Sequence, residues 1–451
     1  MIPSRPMKSG EKIFSALLAL ALLAAACATG PSGNYRRALD AQIASSSFDA
    51  AVAAVEAAKD KEYGKKNAVL YYLDRGMLLQ DAGRYKDSDS SFDSAEQRMD
   101  ELYTKSISKT AGMFLLNDAT VDYAGEPFER ALLNVFRALN FVYSGNNESA
   151  LVECRKVTEY LTRYRDFMQG KSGYKDDAWA QYLSGMLFEE GGKQSDARIS
   201  YQDAARAYQW YASDFATPAP AFSVPAYAQL GGNGELVVLH YNGKAPRKTS
   251  KIIQVAWSKA LAFASAETDD SDDEESKKFR DAVRAGITGN SITVAFPAMV
   301  QDPYRVASSA AEVDGKSAPT QLVENISAIA DSALEARMAA ISARAIARAT
   351  IKFVLVQTAS DKAEQQGGSL MGLLTKAVGS AIAAGTEAAD TRSWLTVPAQ
   401  IRVARLVLPP GTHTVQLQLK DSSGLPLGAL PLSGVNVQAG KRTYIHFRTS
   451  Y

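Results

Sequence analysis

Cysteine is almost absent from this chain. Cys27 and Cys154 are the only two among 451 residues, which excludes a disulfide framework and leaves buried apolar cores as the source of stability. Histidine occurs three times, at 240, 413 and 446, and none stands at metal-ligand spacing from another His or Cys. There is no GxSxG elbow, no Walker loop and no GxGxxG following a strand. These absences point away from metal, cofactor and nucleophile chemistry, so no cofactor, no metal and no catalytic residue is expected. A carboxylate pair of the glycosidase kind is the one catalytic device that the many Asp and Glu residues leave open. Net charge is only +1, so no basic excess suits nucleic acid. No apolar run reaches the roughly 20 residues of a membrane-spanning helix. Hydrophobic residues at 46% and charged residues at 22% are ordinary for a globular chain, here long enough for two or three domains.

The N-terminus is the most informative stretch. Arg5, Lys8 and Lys12 precede an apolar run of 14 residues, 13–26, which suits the hydrophobic region of a secretory signal. Ala24, Ala25 and Ala26 then lead into Cys27. This LAAAC sequence resembles the bacterial lipobox, with Ala24 where Leu is commoner. The resemblance implies a lipoprotein signal peptide over 1–26, acylation of Cys27 and a short tether over 27–34. Ala28, in place of an Asp after the cysteine, favours the outer membrane, with the body facing the periplasm. Cys154 then has no intramolecular partner, and its helical surroundings suit a small buried hydrophobe. The chain beyond residue 26 carries 47 basic and 48 acidic residues, so it is near neutral.

Residues 35–215 read as a helical repeat array. Within 71–97, Gly76, Gly83, Ser88, Phe92 and Ala95 fall at the offsets of the tetratricopeptide (TPR) signature. That signature places a small residue in the first helix, a turn glycine seven residues later, and small and large residues along the second helix. The frame recurs with Ala138, Gly145, Ala150, Cys154 and Val157, then with Gly185, Gly192, Ala197, Tyr201 and Ala204. A degenerate copy uses Leu39, Ser46, Phe48, Ala51, Val55 and Ala58. Small residues let two helices approach, and the larger group fills the gap between pairs. The excess length at 104–126 is expected to pack as an extra element, and Pro127 to open a helix. In such a stack the first helices line a concave face, here with Leu73, Met77, Arg137, Asn140, Tyr143, Trp179, Tyr182 and Met186. Of these, Arg137, Asn140, Tyr143, Trp179 and Tyr182 are the candidate contacts for a partner peptide or helix.

Pro218, Pro220, Pro225 and the glycines at 231–234 end the helical pattern and make 216–234 a linker. Residues 235–451 read as a β-rich, sandwich-like domain with helices near 320–348 and 369–385. Strands are expected at 235–241, 251–258, 291–296 and 351–357. Val415, Leu417 and Leu419 alternate with polar neighbours in a half-buried strand, and 434–448 repeats a strand–turn–strand theme. Pro410-Gly411 followed by His413 is similar to the PEGA-type surface β module, which makes His413 a structural hydrogen-bonder. The acidic run 267–275 lacks EF-hand spacing and suits a solvated loop. Leu334, Met338, Ile341 and Ala345 form an apolar stripe, with Arg337, Arg344 and Arg348 along its margin. Segment 369–384, interrupted by Lys376, suits internal packing.

Three stretches, 72–85, 117–156 and 389–415, together resemble a little-characterised family of TPR-containing bacterial envelope lipoproteins. The most specific residues are Asn117, Asp118, Tyr123, Gly125 and Glu129, then Asp390, Arg392, Trp394 and Pro398. The resemblance implies an α+β multidomain layout and an envelope location. By analogy it implies a lipid-anchored periplasmic scaffold that binds envelope proteins or peptides through its groove; it implies no reaction. Asp390, Arg392 and Trp394 alternate, so an extended chain puts all three on one face. They form either a brace between the β domain and the Arg-bearing helix or a ligand cluster. The second option keeps a cell-wall or polysaccharide-binding protein, or a hydrolase, as the alternative. Partner identity and oligomeric state are not legible in the sequence.

Overall fold

The structure is a computed structural model that describes residues 30–107, 121–224, 226–268, 274–287, 289–367 and 389–451. Cys27 and the signal region, Asn117 and Asp118, the centre of the acidic run and the helix expected at 369–385 lie outside the described residues. The first half is a series of paired helices joined by short turns. These are α1 (Gly33–Ala44) with α2 (Phe48–Ala58), α3 (Ala68–Asp81) with α4 (Tyr85–Ile107), α5 (Pro127–Tyr143) with α6 (Asn147–Phe167), and α7 (Ala178–Glu190) with α8 (Gln194–Asp214).

One turn geometry closes all of these pairs. Ser46, Gly83, Gly145 and Gly192 stand at φ of 56°, 74°, 73° and 74°. Each donates its N–H to the carbonyl three residues back. The next residue donates five back, as Arg84 does to Leu79 at 2.8 Å and Lys193 to Phe188 at 2.8 Å. This Schellman arrangement needs a left-handed residue, hence glycine. The expected close approach is present as well. A Cβ on Gly76 would stand 2.6 Å from the Phe92 ring, and one on Gly185 2.6 Å from the Tyr201 ring. Pro127 opens α5 behind a capping box between Glu126 and Glu129.

Strands follow, with helices between them. In order they are β1 (Gly234–Asn242), β2 (Arg247–Ala256), α9 (Trp257–Thr268), α10 (Glu274–Arg284), β3 (Ser291–Val300), β4 (Ser308–Val313), β5 (Lys316–Pro319) and β6 (Gln321–Asn325). Then come α11 (Ile326–Gly367), β7 (Gln400–Leu408), β8 (Gly411–Lys420), β9 (Pro426–Val437) and β10 (Arg442–Thr449). The chain is therefore α+β, helices first and sheets after. One sheet has the order β10-β1-β7-β6 and a second the order β5-β4-β8-β9, while β2 and β3 form a two-stranded ribbon. β1 pairs parallel with β10 and antiparallel with β7.

The first sheet is a middle layer. Leu236, Val238, Ala404, Leu406 and Phe447 on one face meet Val313, Val415, Leu417 and Leu419 of the second sheet. Val237, Leu239, Tyr241, Ile401 and Val403 on the other face join the helical core of Leu73, Phe136 and Trp179. All of β1 is buried as a result, which explains why ELVVLHY carries no alternation. β8 has one packed face and alternates as expected. The stretch 216–234 marks the change of secondary structure, yet the apolar core passes across it.

Two expectations are corrected. Residues 351–357 are helical, not a strand, and the long helix starts at Ile326, after β6, rather than at 320. From Ile326 to Gln366 the chain contains neither Gly nor Pro, so nothing breaks the helix. Ile351 and Val354, three residues apart, share a buried cluster with Ala264 of α9 and Phe279 of α10. Burial on a helical face outweighed the strand preference of the β-branched run.

Candidate functional site

Residues from the stretches 72–85, 117–156 and 389–415 meet at one buried point. Asp74 of α3 accepts hydrogen bonds from Leu395 N (3.1 Å), Thr396 N (3.1 Å), Thr396 Oγ1 (3.0 Å) and Tyr63 Oη (2.8 Å). Glu129 of α5 accepts from Trp394 N (2.7 Å) and Tyr123 Oη (2.6 Å). Arg392 closes on Asp390 through Nε (2.9 Å) and Nη2 (2.8 Å), and its guanidinium lies 5.0 Å from the centre of the Tyr123 ring. Trp394 stands edge-on to Phe92 and Phe136. With Arg392 at 3% and Trp394 at 2% exposure, neither offers an open face to a ligand. Asp390, Arg392 and Trp394 thus form a brace, and it holds against α3 and α5 rather than against the Arg-bearing helix. Burial raises the Asp74 and Glu129 carboxyls to about 7, against the pull of their donors. Arg337 of α11 pairs instead with Glu126, as does buried Lys248. Burial works to raise Glu126, and these two cations overcome it and hold the carboxyl at about 2.

The residues expected to line an open groove are not open. Arg137 lies between α4 and α6, 2.8 Å from Asp89 and 3.2 Å from Asp93, with Glu96 and Glu153 beside it. Asn140 accepts from Gln80 Nε2 (2.8 Å) and donates to Ser88 Oγ (2.8 Å). Both seal the seam between neighbouring helix pairs. Tyr143 meets Tyr241 of β1, hydroxyl to hydroxyl, at 2.7 Å. Tyr182 accepts from Arg405 Nη1 of β7 at 2.8 Å, and fully buried Trp179 stacks on Tyr182. The cause is that the sheet β10-β1-β7-β6 packs against the face of α3, α5 and α7 that carries these residues. Arg442 of β10 donates to Glu189 and to the Met186 carbonyl of α7, and it shares Glu235 with Arg405. Arg442, Tyr444, His446 and Arg448 alternate along β10 as a wet face would, so sequence reasoning missed this burial.

A cluster of buried polar groups lies inside that interface. Asp81 of α3 stands 3.8 Å from His446 Nε2 and 4.0 Å from Arg448 Nε, beyond hydrogen-bond reach. Both Asp81 oxygens, His446 Nδ1 and Arg448 Nε lack hydrogen-bond partners among the described residues. The rings of Tyr143 and Tyr241 flank His446 at 5.0 and 5.1 Å. Burial raises Asp81 to about 7 and lowers His446 to about 4. His240 sits between the sheets, bonded to Ser309 and Thr449 at 2.8 Å each. His413 bonds Asp314 (2.6 Å) and the Pro409 carbonyl (3.0 Å), the structural part expected of it. Cys154 is buried, which pushes its thiol up to about 12 and fits a packing role. Among the described residues, no group of three or more His, Cys, Asp or Glu side chains could hold a metal ion.

A cavity stays open where α7 and α8 meet the sheet and the segment after α8. Tyr182 of α7, Tyr201 and Tyr208 of α8, Arg405, Phe222 and Tyr227 surround a cavity of about 460 Å³. Its outer wall is the proline-bearing segment after α8. A second cavity, about 390 Å³, lies at the start of α1 between Arg36, Arg37, Lys244 and Arg247, with Asp40 and Asp302. Lys244 pairs with Asp40 at 2.8 Å and Arg247 with Asp302 at 3.2 Å, so Arg36 and Arg37 leave a surplus of positive charge there. Among the described residues, no helix is long and apolar enough to cross a membrane. No family model, no curated protein and no solved structure matches the chain.

Proposed function

We propose that this protein is a lipid-anchored adaptor of the bacterial envelope. In this reading a TPR-like helical array, acylated at Cys27, holds an envelope protein by an extended segment at the cavity beside α7 and α8. The cavity of about 460 Å³ carries the proposal, because it is ringed by tyrosines of α7 and α8 beside Arg405 of the sheet. The repeated Schellman turns and the Gly76–Phe92 and Gly185–Tyr201 contacts support the TPR-like reading. The LAAAC sequence supports the anchor and an outer-membrane position. Arg36 and Arg37 follow it closely and suit an anionic lipid surface. Saccharide binding or hydrolysis at Asp390 and Trp394 has weaker support, because both are engaged in the brace.

Two measurements test this. Labelled fatty acid should enter the wild-type chain and not Cys27→Ala; an unlabelled wild type would remove the anchor. A photo-reactive residue placed at Tyr201 should trap one defined envelope protein in cells, and repeated failure to trap any would remove the adaptor.

A further inference from the structure

The wall of the tyrosine-ringed cavity is itself a bound peptide in form. From Thr217 to Val224 the chain is neither helix nor strand. Pro218 and Pro220 have no N–H to donate. After the Thr217 N–H bonds the Tyr211 carbonyl, the described main chain up to Val224 makes no bond to another main-chain group. Side chains hold it. The Gln321 amide accepts from Ala221 N at 2.7 Å and donates to Ala221 O at 2.7 Å. Such a clamp reads the backbone of an extended residue, whatever its side chain. The next residue, Phe222, lies 5.9 Å from the Tyr182 ring and 5.4 Å from the Arg405 guanidinium. Pro218, Ala219, Ala221 and Ser223 remain exposed. The segment is thus pinned by one clamp and one aromatic anchor, above open space. Proline-rich ligands are bound in this manner, since a chain already extended loses little entropy against aromatic walls.

We propose that this cavity is a receptor for a proline-rich extended peptide carrying one aromatic anchor, that residues 218–224 occupy it in cis, and that the partner's segment displaces them. The chemistry is read from the strap itself; the cellular partner rests on the adaptor reading. Displacement is cheap, because Phe222 is the large apolar side chain that the strap buries against the core.

The probe is a synthetic peptide, ATPAPAFSV, copied from residues 216–224 and added to the full chain in detergent. A chain with 218–224 replaced by Gly and Ser at equal length should bind it at least tenfold more tightly than wild type. Phe222→Ala in the peptide, or Tyr201→Ala in the replaced chain, should weaken that binding at least tenfold. A folded replaced chain that ignores the peptide, or equal affinity in replaced and wild-type chains, overturns the proposal. Should the replaced chain fail to fold, Phe222→Ala in the full chain loosens only the strap, leaves Gln321 and the tyrosines in place, and must raise peptide affinity; affinity unchanged from wild type overturns the proposal equally. Capture of an envelope protein in cells without peptide binding would sink this site and leave the adaptor reading standing. Peptide binding without a cellular partner would do the reverse.

Discussion

A methyl group at Gly76 would press into the Phe92 ring, whereas one at Gly83 would meet open space at a φ of 74°. The two glycines of one helix pair are therefore needed for different reasons. Gly76→Ala should lower the unfolding free energy by about 1–3 kcal/mol through overpacking. Gly83→Ala should cost about 1 kcal/mol through left-handed strain alone. Ser46, at φ 56°, already bears that strain, so Ser46→Gly should stabilise by up to about 1 kcal/mol. Denaturant melts of the three variants check the set, and a destabilised Ser46→Gly would contradict the shared turn geometry. A pH effect belongs to this scale as well. Burial raises Asp81 from its ordinary 3.8 to about 7, so the folded chain keeps a proton that the unfolded chain releases. Stability contributed this way is full below pH 3.8 and is lost as pH rises toward 7. His446, lowered from 6.5 to about 4, acts oppositely, since the unfolded chain gains a proton there as pH falls. Asp81→Asn removes the first slope and keeps the second. Its stability should climb more steeply than that of wild type between pH 4 and 7, in denaturant titrations at fixed pH. Parallel profiles would contradict a buried carboxyl without hydrogen bonds.

At the scale of elements, the brace is the most exposed part of the account to test. Asp74→Ala would leave the amides of Leu395 and Thr396 without an acceptor among the described residues and would take from the Tyr63 hydroxyl its 2.8 Å partner. Unpaired buried donors cost about 1–3 kcal/mol each, so a loss of about 3 kcal/mol or more is expected in thermal melts. Asp74→Asn keeps one acceptor oxygen and should lose less; equal losses would count against the bond geometry. Much of this scale was legible in the sequence. The glycine offsets located the helix pairs, because only glycine closes a Schellman turn without strain. The apolar run 235–241 was legible as a strand, while its burial on both faces follows from the helices and the second sheet that cover it. Residues 351–357 misled because a β-branched run has no local mark of the helix it continues. The brace was legible only as alternation at 390, 392 and 394. Its partners Asp74 and Glu129 lie hundreds of residues away, and no periodicity records such a contact.

For the whole molecule, what the sequence hid is the docking of the sheet β10-β1-β7-β6 onto the helical half. Tyr143 and Tyr182 do point inward, as the repeat frame placed them, yet they meet Tyr241 and Arg405 of the same chain. Arg137 and Asn140 face the preceding helix pair instead, where Asp89, Glu96, Gln80 and Ser88 engage them. The cavity at the end of α7 and α8 left no signal beyond Tyr201, Tyr208 and the prolines, and residues of either type are equally at home in a core or a linker. If helices and sheet share one core, they open together. Hydrogen exchange of the full chain measures this most directly. The amides of α5, α7 and β1 should show one common, maximal protection and lose it together as denaturant is added. Helices α5 and α7 opening at a clearly lower free energy than β1 would contradict a helical face covered by the chain's own sheet.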